Sequence, residues 1–383
     1  MNCKLSTIII AFALLGTTHC SQEKARLQAL NWDPFNRVQM EQLIDRYGKH
    51  SPDYNPAKPP YAVFDWDNTS IFLDIEEAVL AYQIQQLAFA ATPEQFSEAI
   101  RKDIPSTHFA DISADIINSY TWLYNHYEGF RGRQSLDEVK RDAHYADFAA
   151  KLPRLYKAIG DALDHAVAYP WITYLFVGMT EQDVQELTRQ TIQWQLTQEH
   201  GLRLVPEMQD LYHTLRQNGF DVWVCSASFI DVIKEISSNP AYGYDNPADH
   251  ALAMELERDA DGKIQARFRA GYDQTQGEGK TATIRRFLVS KYGYGPVFIA
   301  GDSEGDQNMM QDFEDTQLVL IINRFRSPQT LIGQFSRQAV DTYGNTDAKY
   351  LLQGRDENTG FFVPLQQSTK LTIDNGQWTI ICD

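Results

Sequence analysis

Four short segments of the chain are apolar at nearly every position, a pattern typical of strands that are buried on both faces of a parallel sheet. They are YAVF, which starts at Tyr61, and the stretches 219–228, 295–303 and 316–323. Segments with helical spacing lie between the later strands, among them PEMQDLYHTLRQNGF and KTATIRRFLVSKYG. This alternation predicts an α/β fold on a Rossmann-like, doubly wound parallel sheet.

The chain between the first two strands has a different pattern. Residues 75 to about 200 contain long helical patterns, such as DIEEAVLAYQIQQLAFA, and no convincing strand. A helical insertion at this point would form a cap over a site at the strand ends. We therefore expect four regions, namely a signal peptide at 1–20, the first part of the core at 21–74, the cap at 75–200, and the second part of the core with a β-rich tail at 201–383. Within the last region, HALAMELERDADGKIQARFRAG alternates around DADG and predicts a hairpin.

The N-terminus has the pattern of a targeting segment. Lys4 precedes the apolar run LSTIIIAFALLG, which is too short to span a bilayer. We expect a periplasmic or secreted protein that is cleaved near residue 20. Two alternatives are a lipoprotein anchored at Cys20 and a protein that keeps this segment as its anchor.

Composition narrows the classes of partner. Of the 383 residues, 51 are acidic and 34 are Lys or Arg, so the formal net charge is -17. Nucleic acid is disfavoured, because no basic footprint offsets this charge. The four cysteines are too few for a disulfide framework, and Cys225 lies in an apolar run typical of a buried thiol. We expect a small-molecule partner and no stable membrane span.

Polar side chains stand where the predicted strands end. Ligands of open parallel sheets bind beyond the carboxyl ends of the strands, so these side chains are expected in one crevice. They are Asp65, Asp67, Ser226, Asp302 and Asp306, together with Lys280 at a predicted helix start. Carboxylates, a hydroxyl and an ammonium in one crevice favour phosphoryl transfer through an aspartyl intermediate, with a hard divalent cation.

Two other motifs fit this chain poorly. DWDNTSIFLDIE partly fits a calcium loop, but Ser70 stands where the sharp turn needs Gly. GDSEG fits a nucleophile elbow, yet the last histidine is His250, so Ser303 has no base downstream. A lone Asp-x-Asp is usually a turn or a helix cap. A protein that binds a cation or solute without catalysis remains an alternative.

The strand-end residues carry a resemblance to the phosphatase branch of the haloacid dehalogenase superfamily. Its four motifs match Asp65, Asp67 and Thr69; Ser226; Lys280; and Gly301, Asp302 and Asp306. The resemblance implies that family's core with a helical cap of the C1 type. It also implies a phosphomonoesterase in which Asp65 is the nucleophile and Asp67 the general acid and base, while Ser226 and Lys280 bind phosphate.

The same resemblance implies a Mg²⁺ cofactor. Its ligands would be the carboxylates of Asp65 and Asp302 and the backbone carbonyl of Asp67. Asp306 would help to hold the ion or its waters and would orient Lys280.

A longer stretch, FDWDNTSIFLDIEEAVL, is similar to the start of the phosphorylcholine phosphatases and their phosphoserine-phosphatase-like relatives. This implies a substrate with a cationic head such as phosphocholine, which rings and carboxylates would recognise. The candidate head-group residues are Glu76, Glu77 and Trp122, the last within an aromatic cluster that includes Tyr120, Tyr124 and Tyr127. The tyrosine spacing also fits a plain buried helix face. Another small phosphomonoester, phosphoserine-like, is the alternative substrate.

Overall fold

A computed structural model of the protein describes residues 24–374 and 377–382. Its strands are β1 (Tyr61–Phe64), β2 (Ile71–Phe72), β3 (Arg203–Leu204), β4 (Asp221–Phe229), β5 (Ala251–Met254), β6 (Leu256–Arg258), β7 (Ile264–Phe268), β8 (Phe298–Gly301), β9 (Leu318–Ile322), β10 (Tyr350–Gln353), β11 (Thr369–Asp374) and β12 (Gln377–Cys382). Its α-helices are α1 (Pro34–Tyr47), α2 (Ile75–Gln86), α3 (Pro93–Arg101), α4 (Ala110–His126), α5 (Leu136–Val139), α6 (Ala143–Ala162), α7 (His165–Thr173), α8 (Glu181–Gln195), α9 (Pro206–Gln217), α10 (Ile230–Ser238), α11 (Glu278–Ile284), α12 (Ser290–Tyr292), α13 (Gln307–Gln311) and α14 (Leu331–Asp341).

The core is a six-stranded sheet in the order β10-β9-β8-β1-β4-β5, and every neighbouring pair in it is parallel. All residues of β1, β8 and β9 are buried, which explains why these strands are apolar without alternation. The predicted α/β fold is confirmed, and the four predicted strands lie in this sheet. β5 and β10 extend it at both edges. The residues of β5 had been assigned to the predicted hairpin, and β10 had not been predicted.

β1 lies between β4 and β8, with Ala62 opposite Val222 on one side and Phe298 on the other. The three strands run in the same direction, so their carboxyl ends meet at one edge of the sheet. Asp65 continues this pattern past β1, because its N–H donates to the Ala300 carbonyl of β8 at 2.9 Å. Strand pairing thus brings together the residues that follow β1, β4 and β8.

The helical insertion leaves and rejoins the core at one place. β2 and β3 pair antiparallel, with Ile71 opposite Leu204 and Phe72 opposite Arg203. The helices α2 to α8 lie between these two short strands. Within them α4 packs on α6, and α8 packs on both α2 and the core helix α10. Both ends of the insertion therefore stand beside the loop that follows β1.

The predicted hairpin is confirmed as β6 and β7, which pair antiparallel across the DADG turn. It contacts the segment that precedes α8: the Ile264 N–H donates to the Met179 carbonyl, and the Gly178 N–H donates to the Ile264 carbonyl, both at 2.9 Å. The hairpin is therefore hydrogen-bonded to the insertion from the core side.

The C-terminal part of the chain, whose role the sequence did not indicate, supports the loop after β1. The Arg355 side chain is fully buried, and its Nη1 donates to the Asn68 carbonyl at 2.8 Å. Its Nε pairs with Glu357 at 2.6 Å, and its guanidinium lies over the Phe72 ring. Asn68 has a φ of 60°, a left-handed conformation that needs such support in a residue other than Gly.

The predicted signal peptide and Cys20 lie outside the described residues. Among residues 24–374 and 377–382, no helix has the length and apolar character needed to cross a membrane. Cys225 is a free, buried thiol, as its apolar surroundings predicted.

Candidate active site

A small crevice opens beyond the carboxyl ends of β1, β4 and β8, beneath the helical insertion. Four of the predicted residues line it, namely Asp65, Asp67, Lys280 and Asp302. Ser226 and Asp306, both fully buried, lie directly behind them, each within hydrogen-bonding distance of a lining residue. The structure therefore brings all six strand-end residues together.

Asp65 stands at the centre of this group. One carboxylate oxygen, Oδ1, accepts from Lys280 Nζ at 2.6 Å, and the other, Oδ2, accepts from the Thr69 hydroxyl at 2.7 Å. Burial raises the pKa of Asp65 well above its usual value, and the Asp306 carboxylate adds to this, while Lys280 acts in the opposite direction. Ionised Asp65 consequently depends on positive charge close by.

Lys280 forms ion pairs with two carboxylates at once. Its Nζ lies 2.6 Å from both Asp65 Oδ1 and Asp306 Oδ1, and the side chain is only 2% exposed. Burial opposes its charge, but Asp306 and Asp65 outweigh burial, so the pKa of Lys280 lies above its usual value. Lys280 is therefore a fixed cation beside the nucleophile position.

Asp306 also fixes the turn that carries Asp302. Its Oδ2 accepts from the backbone N–H groups of Asp302 and Ser303 at 3.0 and 3.1 Å. Gly301 is required here by close packing, because a Cβ would lie 2.6 Å from Met310 Cε and 2.7 Å from Asp306 Cβ. The glycine of the fourth motif thus allows Asp306 to reach back to the strand end.

Asp302 is held by two arginines that follow β9. Arg324 Nη1 and Arg326 Nη2 donate to its Oδ2 at 2.6 and 3.1 Å. Burial opposes ionisation of Asp302, but the two guanidinium groups outweigh burial and hold its pKa below the usual range. Asp302 is thus a carboxylate at neutral pH.

Asp67 is placed for proton transfer. Its Oδ1 accepts from the Ile75 N–H at 2.8 Å, at the start of α2, and its Oδ2 accepts from the Ser228 hydroxyl at 2.7 Å. The Ser226 hydroxyl lies farther away, at 3.3 Å from Oδ2. Burial, followed by the Asp74 carboxylate, raises the pKa of Asp67 to about 8. The environment of Asp67 thus favours its protonated form more than water does.

The donor set fits a hard divalent cation. Carboxylate oxygens of Asp65, Asp302 and Asp306 lie within 4.8 Å of one another, and all three residues are buried. Three carboxylates at this spacing match the oxygen ligands that Mg²⁺ prefers. Lys280, Arg324 and Arg326 pair with the same three carboxylates, so a bound cation would share these oxygens with the three basic side chains.

The three proposed head-group residues are separated by the structure. Glu76 is buried and lines the crevice, whereas Glu77 is exposed and lines a neighbouring cavity. Trp122 does not belong to the described residues that line the crevice. Its ring stacks between the rings of His126 and His144. Tyr120 is fully buried and stacks on Phe96 inside the cap. The aromatic cluster is thus cap core, as its spacing also allowed.

Several residues beside the crevice were missed by sequence reasoning. They are Ser228, Arg324, Arg326, Tyr156 and Tyr169. The two arginines follow the fourth predicted strand, so the strand-end rule would have found them had it been applied there. Tyr156 and Tyr169 come from α6 and α7, whose orientation depends on tertiary packing. Nothing in their local sequence indicates the crevice.

Comparisons with known proteins point to one hydrolase family. A family model described as haloacid dehalogenase-like hydrolase matches residues 121–311. Phosphorylcholine phosphatase from Pseudomonas aeruginosa is 24% identical over 214 residues, which cover 52% of this chain and 50% of that protein. The match thus spans about half the length of this curated relative.

Solved structures give the fold over a larger part of the chain. A conserved protein of unknown function from Anaerococcus prevotii has 31% sequence identity and a TM-score of 0.80, covering 90% of this chain and 99% of that one. A phosphoserine phosphohydrolase-like protein from Francisella tularensis is 15% identical with a TM-score of 0.36, covering 72% and 92%, a likeness too low to inform the site. With the family match and the four motifs assembled at one crevice, the chain belongs to the haloacid dehalogenase-like hydrolase family.

Proposed function

We propose that the protein is a phosphomonoesterase that works through an aspartyl-phosphate intermediate. One observation carries this proposal: Asp65 contacts a buried ammonium at 2.6 Å, while Asp67, on the same loop, accepts from the Ser228 hydroxyl at 2.7 Å. A nucleophilic carboxylate and a separate acid are the two groups that such a reaction needs. We assign the first role to Asp65 and the second to Asp67, whose pKa burial raises to about 8.

The chain's own groups account for each step. Asp65 Oδ attacks phosphorus, and the bond from phosphorus to the leaving oxygen breaks as Asp67 gives that oxygen its proton. The Asp67 carboxylate then takes a proton from the water that attacks the aspartyl phosphate, which releases phosphate and restores Asp65. Lys280 and the Ser228 hydroxyl line the crevice and are donors for the phosphoryl oxygens. Ser226, predicted for this role, lies behind them, and its hydroxyl accepts from the Ser228 N–H at 3.0 Å.

Asp65, Asp302 and Asp306 would hold Mg²⁺, with the Asp67 backbone carbonyl as a further ligand. When bound, the ion supplies positive charge that offsets the repulsion between Asp65 and the phosphate dianion. Arg324 and Arg326 support this arrangement, because they keep Asp302 ionised and hold it in place.

The place of action is part of the same proposal. The N-terminal pattern of Lys4 followed by an apolar run supports export to the periplasm or beyond, with a lipid anchor at Cys20 as the alternative. The partner is a small phosphomonoester, and the net charge of -17 argues against nucleic acid.

A cationic head on the substrate, with phosphocholine as the favoured example, is supported by Glu76. This carboxylate is only 4% exposed, and its Oε2 accepts from the Phe229 N–H at 3.2 Å. Its Oε1, in contrast, has no hydrogen-bond partner within the described part of the chain. A buried acceptor without a partner costs free energy that a ligand cation beside it would recover. The match to phosphorylcholine phosphatase supports the same substrate class.

The nucleophile can be tested directly. Asp65→Asn keeps the shape of the side chain but removes its ability to attack phosphorus. We expect kcat for a generic aryl phosphate, assayed with Mg²⁺, to fall by at least about a hundredfold, with an unchanged circular dichroism spectrum. The exposed Asp249→Asn is the matched control and should keep wild-type turnover. Activity of more than a few per cent in Asp65→Asn would show that another residue is the nucleophile.

A wild-type protein without turnover would favour the non-catalytic alternative, a protein that binds a cation or solute.

The burial of Glu76 has a consequence for stability. Burial, with the carboxylates of Asp74 and Asp67, raises the pKa of Glu76 well above that of the unfolded chain. Its contribution to stability is therefore fully present below about pH 4, the unfolded value, and is lost as pH rises through the folded pKa. Glu76→Gln should thus gain stability relative to wild type between pH 5 and pH 8, measured by urea unfolding in EDTA. The exposed Glu77→Gln serves as the control. If the free energy of unfolding of Glu76→Gln differs from that of wild type by the same amount at pH 5 and at pH 8, the pKa of Glu76 is not raised in the folded protein and this account is wrong.

The head group is tested by comparing kcat/KM for phosphocholine, phosphoethanolamine, phosphoserine and glycerol phosphate. We expect phosphocholine to exceed glycerol phosphate by at least about tenfold, because close charge pairs in a buried site are worth a few kcal/mol. Glu76→Gln should remove most of this preference, and Glu77→Gln a smaller part. If glycerol phosphate equals phosphocholine and neither variant alters the ranking, the cationic-head proposal is wrong while the phosphatase remains.

A further inference from the structure

A second cavity, here called the cap cavity, lies entirely within the helical insertion. It has a volume of about 420 Å³ and is bounded by α2, α6 and α7. Its apolar wall consists of Leu80, Ile84, Pro153, Ala168 and the rings of Tyr156 and Tyr169. This volume is in the range of sites that take small organic ligands, and apolar walls of this kind bind hydrocarbon.

The cap cavity adjoins the crevice. Tyr156 and Tyr169 line both spaces. Glu76 and Glu77 are consecutive in α2, and Glu76 lines the crevice whereas Glu77 lines the cap cavity. The two tyrosines thus stand between the crevice and the cap cavity.

The crevice is the smaller of the two spaces. Its volume is about 90 Å³, against about 420 Å³ for the cap cavity. The cap cavity therefore offers more room for the alcohol part of a phosphomonoester whose phosphoryl group lies beside Asp65.

We infer that the cap cavity is the leaving-group site and that it takes an aliphatic or aromatic chain of several carbons on the phosphomonoester. This inference rests on the proposed phosphatase function and names the substrate class of the same site. The cap cavity meets solvent at the ion pair between Lys157 and Asp161, whose side chains are 75% and 61% exposed.

The test uses a series of unbranched alkyl phosphates, from ethyl to butyl and hexyl, which carry no cation. Each methylene that enters an apolar cavity is worth up to about fourfold in binding. We therefore expect kcat/KM to rise at least about tenfold from ethyl to hexyl phosphate in the wild-type protein. Binding of ethyl- and hexylphosphonate, which are not hydrolysed, should show the same trend in calorimetry.

Ala81→Trp fills the cavity from an exposed position on α2. We expect this variant to reduce the gain from ethyl to hexyl phosphate to less than about threefold, while its kcat/KM for ethyl phosphate stays within about twofold of wild type. The matched control is Ala162→Trp, an exposed alanine at the end of α6 that is outside the described cavity lining, and it should keep the full gain.

The outcomes separate the two proposals. Equal kcat/KM for ethyl and hexyl phosphate, together with equal phosphonate affinities, would overturn the leaving-group site and leave the phosphatase standing. An undiminished chain-length gain in a folded Ala81→Trp would also overturn it. If no alkyl or aryl phosphate is hydrolysed, the proposed function fails, and tighter binding of hexylphosphonate alone would then support an apolar ligand site without catalysis. Should Ala81→Trp not fold, the phosphonate affinities of wild type decide.

Discussion

The compensation of buried negative charge is the constraint on which the site depends. Asp65, Asp302 and Asp306 are each at most 6% exposed, and carboxylates so close together are unstable unless cations face them. Lys280 bridges two of them, and arginines from the loop after β9 hold the third. These cations come from elements far apart in the chain, so the site exists only when the whole sheet is assembled.

Part of the fold and of the site could be predicted from the sequence, and part depends on tertiary packing. Parallel strands deliver their carboxyl ends to one edge, so Asp65, Asp302 and Ser226 could be placed together from sequence alone. ALAM was assigned to the hairpin instead of the core sheet, because its alternation continues into the hairpin and only tertiary pairing with β4 distinguishes the two. Trp122 was expected at the crevice because helical spacing does not determine which face of a cap helix turns toward the core.

The helical insertion connects specificity to the catalytic loop. Its ends pair as β2 and β3 beside the loop after β1, and Arg355 supports that loop from the C-terminal side. α2 starts at Asp67 through the Ile75 N–H, so the residue proposed as the acid and the helix that lines both cavities are positioned together. A change in how the cap packs would consequently alter proton transfer as well as substrate choice.

The central claim is that the three buried carboxylates, Asp65, Asp302 and Asp306, form a site for a divalent cation. The most direct measurement is thermal unfolding of wild type and Asp302→Ala, first in EDTA and then with increasing Mg²⁺. We expect Mg²⁺ to raise the Tm of wild type in a saturable manner, because a ligand that binds only the folded state stabilises it. Asp302→Ala should show little or no increase. An unchanged Tm in wild type, or an equal increase in both proteins, would contradict the claim.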